Sequence, residues 1–118
     1  MTTFVFERRL QIAGNAAIAL LVACAAGQAD GQDSYVDQRG LHFSQSSITL
    51  AAGDTLHFRN GDDVKHNIMV LDANDEAQDQ GIQKPGEVIS TKFEQAGEFQ
   101  IRCAIHPKMK MSVVVTAR

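Results

Sequence analysis

Tryptophan is absent from this 118-residue chain, tyrosine occurs once, and proline and cysteine occur twice each. Two cysteines build no disulfide framework, so a small fold stapled by several bridges is excluded. No apolar run reaches the length that a stable membrane span needs. Charge of either sign is in no great excess. The formal net charge is −3 and the pI about 5.7, which argues against a nucleic-acid-binding surface. The chain holds no internal repeat, and its acidic stretch (Asp72, Asp75, Glu76, Asp79) lacks the Asp-x-Asp-x-Asp-Gly order of a calcium loop. Hydrophobic content is an ordinary 44%, which at this length points to one domain.

The N-terminus has the pattern of an export signal over residues 1–27. Arg8 and Arg9 supply the positive region, the run from Ile12 to Ala23 is an apolar core of signal length, and small residues follow. Two processing routes stay open. Ala23 to Ala25, or Ala25-Ala26-Gly27, fits ordinary cleavage, whereas Leu21-Val22-Ala23-Cys24 is similar to a bacterial lipobox that would acylate Cys24 and tether the protein. Glu7 and Leu10-Gln11 fit twin-arginine export poorly. On either route the destination is the periplasm. Residues 28–40, rich in Gln, Asp and Gly with no hydrophobic period, read as a flexible linker.

The folded part is expected over residues 41–118. Leu41 and Phe43 share one face of a half-buried strand, Ile48-Thr49-Leu50 is a second, and Thr55 to Asn60 alternates with Leu56 and Phe58 inward. That alternation sends His57 to the solvent face, and His42 is likewise read as a surface residue. Asn67 to Leu71, Val88 to Phe93 and Glu98 to Cys103 are further strands, separated by Gly-bearing turns. Residues 72–86 form an exposed loop, or a short helix over 74–80. Short strands at this spacing predict an all-β fold, a Greek-key-like β-sandwich of about seven to eight strands.

The chemistry concentrates in Cys103-Ala104-Ile105-His106-Pro107-Lys108-Met109-Lys110-Met111. A thiolate, an imidazole and a thioether share one short loop, and His66 offers a second imidazole upstream. Singly, each is an ordinary core or surface residue. Together they match a mononuclear copper electron-transfer site with two His, one Cys and a weak axial Met. Soft sulfur stabilises Cu(I), imidazole suits both oxidation states, and a geometry between their preferences limits rearrangement when an electron moves. With Phe99, Ile101 and Cys103 on one face, the thiolate points inward. Pro107 fixes φ and stiffens the loop. Asn67, beside His66, is expected to tie that segment to the Cys103 loop and orient the ligands from outside the coordination sphere.

The region from Leu41 to Arg118 resembles the small blue copper proteins, the cupredoxins, through Phe58-Arg59-Asn60, His66-Asn67, Cys103-x2-His106-Pro107-x-Met109 and Val113-Val114-Val115. It is most similar to the amicyanin- and pseudoazurin-type members. The resemblance implies an eight-stranded β-sandwich with copper at one end and one-electron shuttling in the periplasm. The short loop favours Met109 as axial ligand. The longer loop of pseudoazurin- and plastocyanin-like members would use Met111, which here reads as the first inward residue of the last strand.

These readings make the protein a monomeric electron carrier with one copper per chain, not an enzyme. A redox partner would dock transiently near His106, where Lys108 and Lys110 set a mixed field on an acidic protein. The histidines number four, too few for the further clusters that catalytic copper requires. The alternative class is a copper-binding chaperone or storage module, against which the lack of a Met-rich tract counts.

Overall fold

The structure, a computed structural model, describes residues 31–118. The expected export signal over 1–27, with Cys24, and residues 28–30 of the expected linker lie outside the described residues. Within them the chain is all-β, with nine strands in two sheets and no helix. The strands are β1 (Asp33–Arg39), β2 (His42–Phe43), β3 (Ser47–Ala51), β4 (Asp54–Asn60), β5 (His66–Leu71), β6 (Ala77–Gln83), β7 (Val88–Phe93), β8 (Gly97–Arg102) and β9 (Lys110–Thr116). One sheet has the order β2-β1-β4-β7 and the other β3-β9-β8-β5-β6. Two pairs, β1 with β4 and β3 with β9, run parallel, and the rest are antiparallel.

Period-two alternation builds the core. Leu56 and Phe58 of β4, Ile68 and Val70 of β5, and Val113 and Val115 of β9 all point between the sheets. Each such side chain contributes about 1.5–3 kcal/mol by leaving water. The directions of the strands then place the site. β1, β4, β6 and β8 end at the same edge of the sandwich from which β2, β3, β5, β7 and β9 start. The loops after β4 and β8, which carry His66 and the Cys103 segment, therefore meet at one end.

Three expectations need correction. The flexible linker over 28–40 does not hold for its second half, because Asp33–Arg39 is β1, paired residue by residue with β4. Its inward positions are Val36 and Gln38, so half of its buried face is polar and no apolar period appears. The stretch over 72–86 is neither loop throughout nor a helix over 74–80, since Ala77–Gln83 is β6. That strand pairs on one side only, with β5, and most of its side chains face solvent, so backbone pairing rather than burial specifies it. Finally, Leu41 is not an inward strand residue. It is 43% exposed, at φ 62°, in a tight turn with Gly40 at φ 59°. His42 is exposed as expected. His57 is partly covered, its ring bonded to Asp33 and Ser90 and stacked on Tyr35.

At the end remote from the ligand loops, Asp54 fastens the start and finish of the domain. Its carboxylate accepts the backbone N–H of Gln32 at 2.8 Å and of Ala51 at 2.8 Å, and it also bonds the Arg118 guanidinium. The Gln32 amide and then the Ala51 amide hold the Asp54 carboxyl below the usual carboxylate range, with burial opposing and Arg118 assisting. A carboxylate depressed in the folded state contributes stability that is fully present above its unfolded pKa of about 3.9 and is lost as pH falls toward the folded value. Asp54→Asn is therefore expected to lower the thermal midpoint at pH 7, with the gap to the native sequence closing below about pH 4. Calorimetry at the two pH values checks this, and an equal gap at both would refute it.

Candidate metal centre

Cys103 follows β8 directly, and the alternation that buries Ile101 continues to it, leaving the thiol 1% exposed. His66 opens β5 and is fully buried. His106, in the loop between β8 and β9, is half-buried. The three come together. His66 Nδ1 lies 3.2 Å from His106 Nδ1, Cys103 Sγ lies 3.8 Å from His106 Nδ1, and all three donor atoms fall within 4.8 Å of one another. An imidazole nitrogen binds a first-row ion at about 2 Å, so two nitrogens at this spacing fit one shared ion.

The loop is closed by its own backbone hydrogen bonds. Cys103 N–H donates to the Met109 carbonyl at 3.2 Å, and Met109 N–H donates to the His106 carbonyl at 2.9 Å. These bonds draw Met109 inward to 1% exposure, outside the apolar core cluster. Met111, in β9, is packed within that cluster at 2% exposure.

Asn67 crosses between the two segments. Its backbone N–H donates to Cys103 Sγ at 3.3 Å, its Oδ1 accepts the Ala104 N–H at 2.8 Å, and its Nδ2 donates to Asp79 Oδ1 at 2.8 Å. Opposite Ile68 and Met69 the register slips by one residue, leaving Gln80 of β6 unpaired beside Gly81 at φ 113°, so β6 bulges next to this residue.

Asp62 was not singled out from the sequence, where it reads as one carboxylate of the turn Asn60-Gly61-Asp62-Asp63. Its Oδ2 accepts from His66 Nε2 at 2.7 Å and from Leu41 N–H at 3.1 Å, and its Oδ1 accepts the Gly40 N–H at 2.6 Å. Burial pushes its carboxyl up, but the bonds from His66, Leu41 and Gly40 outweigh that and leave it below the ordinary range. With Nε2–H of His66 donating to Asp62, the ring turns its other nitrogen, Nδ1, to the site. The available signal was an acidic residue four positions before a candidate ligand histidine.

Two imidazole nitrogens and a thiolate converging at one end of an all-β sandwich define a cupredoxin-type copper-binding domain. The family model of copper binding proteins, plastocyanin/azurin family, matches residues 31–117. Plastocyanin of Scenedesmus fuscus is 32% identical over 90 residues, covering 70% of this chain and 92% of that protein. Methylamine utilization protein MauL of Methylophilus methylotrophus is 33% identical over 67 residues, which is 55% of this chain and only 38% of the relative. A reduced mutant of amicyanin superposes with a TM-score of 0.65 at 27% identity, covering 74% of this chain and 84% of that structure. The chain belongs to the plastocyanin/azurin family of copper-binding proteins, and family and donor set together assign it one copper.

Asn67→Ala removes the acceptor for the Ala104 N–H and is expected to cost the metal-free protein about 1–3 kcal/mol. Urea unfolding measures the loss, and hydrogen exchange should show the Ala104 amide exchanging faster. Unchanged exchange there would mean that Asn67 does not hold the loop.

Proposed function

We propose that the protein is a type 1 copper electron carrier that shuttles single electrons between redox proteins in the periplasm. One observation carries the reading: two histidine nitrogens and a buried thiol within 4.8 Å of one another, on a loop already closed by its own hydrogen bonds. His66, Cys103 and His106 would hold the copper, with the Met109 thioether as a fourth, weaker donor. Copper bound there supplies reversible one-electron chemistry between Cu(I) and Cu(II). Asn67 and Asp62 keep the donors in place, so little of the protein has to move when the charge changes. The half-buried His106 ring is the electron's way in and out. Around it Leu41, Ile105 and Pro107 are exposed and form, with Gly40, His42 and Lys108, a shallow groove. A partner pressing on that groove would exclude water from the His106 edge through a small, transient contact.

The chain transforms no substrate in this reading. Export to the periplasm rests on the signal-like residues 1–27, and the choice between free and Cys24-tethered forms rests on the two cleavage patterns. A copper chaperone or storage module is the second class. The closed loop and the 1% exposure of Cys103 favour the carrier, because delivery of metal calls for an open site.

Copper titration of the protein, followed by absorption and voltammetry, tests the proposal. An intense blue thiolate-to-copper band with a reversible one-electron wave is expected. A colourless product with no wave would overturn it. Cys103→Ser should abolish the band. Met109→Ala should retain copper while shifting spectrum and potential. Met111→Ala should cost about 2–5 kcal/mol of stability and shift neither. The reverse outcome for the two Met variants would make Met111 the axial ligand.

A further inference from the structure

The formal net charge of −3 conceals an uneven distribution, and the strand directions reveal it. The end of the sandwich that holds the donor cluster carries Arg39, Lys65, Lys84, Arg102, Lys108 and Lys110, all exposed. Its carboxylates are Asp62, Asp63 and Glu87, and Asp62 is already spent on His66 and two backbone amides. The opposite end is acidic. There the β5–β6 loop brings Asp72, Asp75 and Glu76, the β7–β8 hairpin brings Glu94 and Glu98, and the β1 and β4 starts add Asp33 and Asp54, against Lys92 and Arg118.

Pairing follows the same division. Both cations of the acidic end have carboxylate partners, Lys92 with Glu94 and Arg118 with Asp54. Among the described residues, none of the six cations at the donor end lies within 4.0 Å of a carboxylate oxygen. Arg102 and Lys110 even stand opposite one another on the β8–β9 ladder, an arrangement of like charges that costs stability. Unpaired, mutually repelling cations gathered on one end of an acidic protein create a field that a partner of opposite sign relieves.

We infer that this end is a cationic docking face for a redox protein whose own docking surface is ringed by carboxylates. The inference rests on the electron-carrier reading above and adds the charge of the partner to it. The two ends make the molecule a dipole, so an acidic partner is turned toward the donor end before contact and repelled from the other end. Such steering raises association rates and fades as salt screens it, over about 10 Å at 0.1 M ionic strength.

Two small oxidants of opposite charge separate this local field from the net charge. The copper-loaded, reduced protein is mixed in stopped flow with hexacyanoferrate(III), a trianion, or with tris(phenanthroline)cobalt(III), a trication. In each case one electron leaves Cu(I), giving Cu(II) and hexacyanoferrate(II) or the cobalt(II) complex, with no atom transferred. The expected rate constant for hexacyanoferrate(III) falls as ionic strength rises, and that for the cobalt complex does not. Lys84→Glu with Lys110→Glu should slow the anion about tenfold at low salt. Lys92→Glu, a charge reversal at the acidic end, should change it less than twofold. A hexacyanoferrate(III) rate that rises with salt, as the net charge alone dictates, would overturn the inference, as would equal slowing by the two ends' reversals. The blue band and reversible wave remain as separate readouts, so the docking face fails alone if they persist while the salt slope has the wrong sign.

Discussion

The contact between Asn67 and the Cys103 segment is the constraint on which the metal end depends. The two stretches lie 36 residues apart in sequence and belong to different hairpins. Asn67 supplies a backbone donor to the sulfur and a side-chain acceptor to the next amide, so the sulfur's position and the loop's departure from β8 are set by one residue. Because Asn67 is 2% exposed, its amide could not be left unmatched without cost, and its Nδ2 is carried by Asp79 of β6. Three strands of one sheet are thereby tied around the thiolate.

Asp62 does for His66 what Asn67 does for Cys103, but it draws on the other sheet. Its carboxylate links His66 to the Gly40–Leu41 turn between β1 and β2, a turn whose left-handed backbone at Leu41 is sustained by those bonds. One ligand is therefore held from the five-stranded sheet and the other from both sheets. A site gripped from both layers is preorganised, which is the condition for electron transfer with little reorganisation.

Much of this was legible in the residues. Cys-x2-His-x2-Met followed by a valine run marks its own chemistry, and the alternation Phe99-x-Ile101-x-Cys103 points the thiolate inward without any tertiary knowledge. His66 was legible as a donor, and Asn67 as the residue beside it. What stayed hidden obeyed non-local rules. β1 was missed because Val36 and Gln38 alternate apolar with polar, and only the parallel pairing with β4 makes them a strand. β6 was missed because an edge strand with a solvated face owes its form to hydrogen bonds with β5, which composition does not record. Asp62 was missed because its partners come from 4, 21 and 22 residues away, and no local period links them.

The two Met residues differ in what positions them. β9 begins at Lys110, so residues from there onward follow the sheet's alternation, and Met111, Val113 and Val115 fall inward together. Met109 precedes the strand and is placed by the loop's own bonds, to His106 and Cys103, rather than by the ladder. A thioether positioned by the ligand loop moves with the ligands. One positioned by the core moves with the sheet. A weak fourth donor would tune the potential of a copper held there, and only the first arrangement would let a single short segment govern both that donor and the cysteine sulfur. That coupling is the physical argument behind our proposal that Met109, rather than Met111, would be the fourth donor.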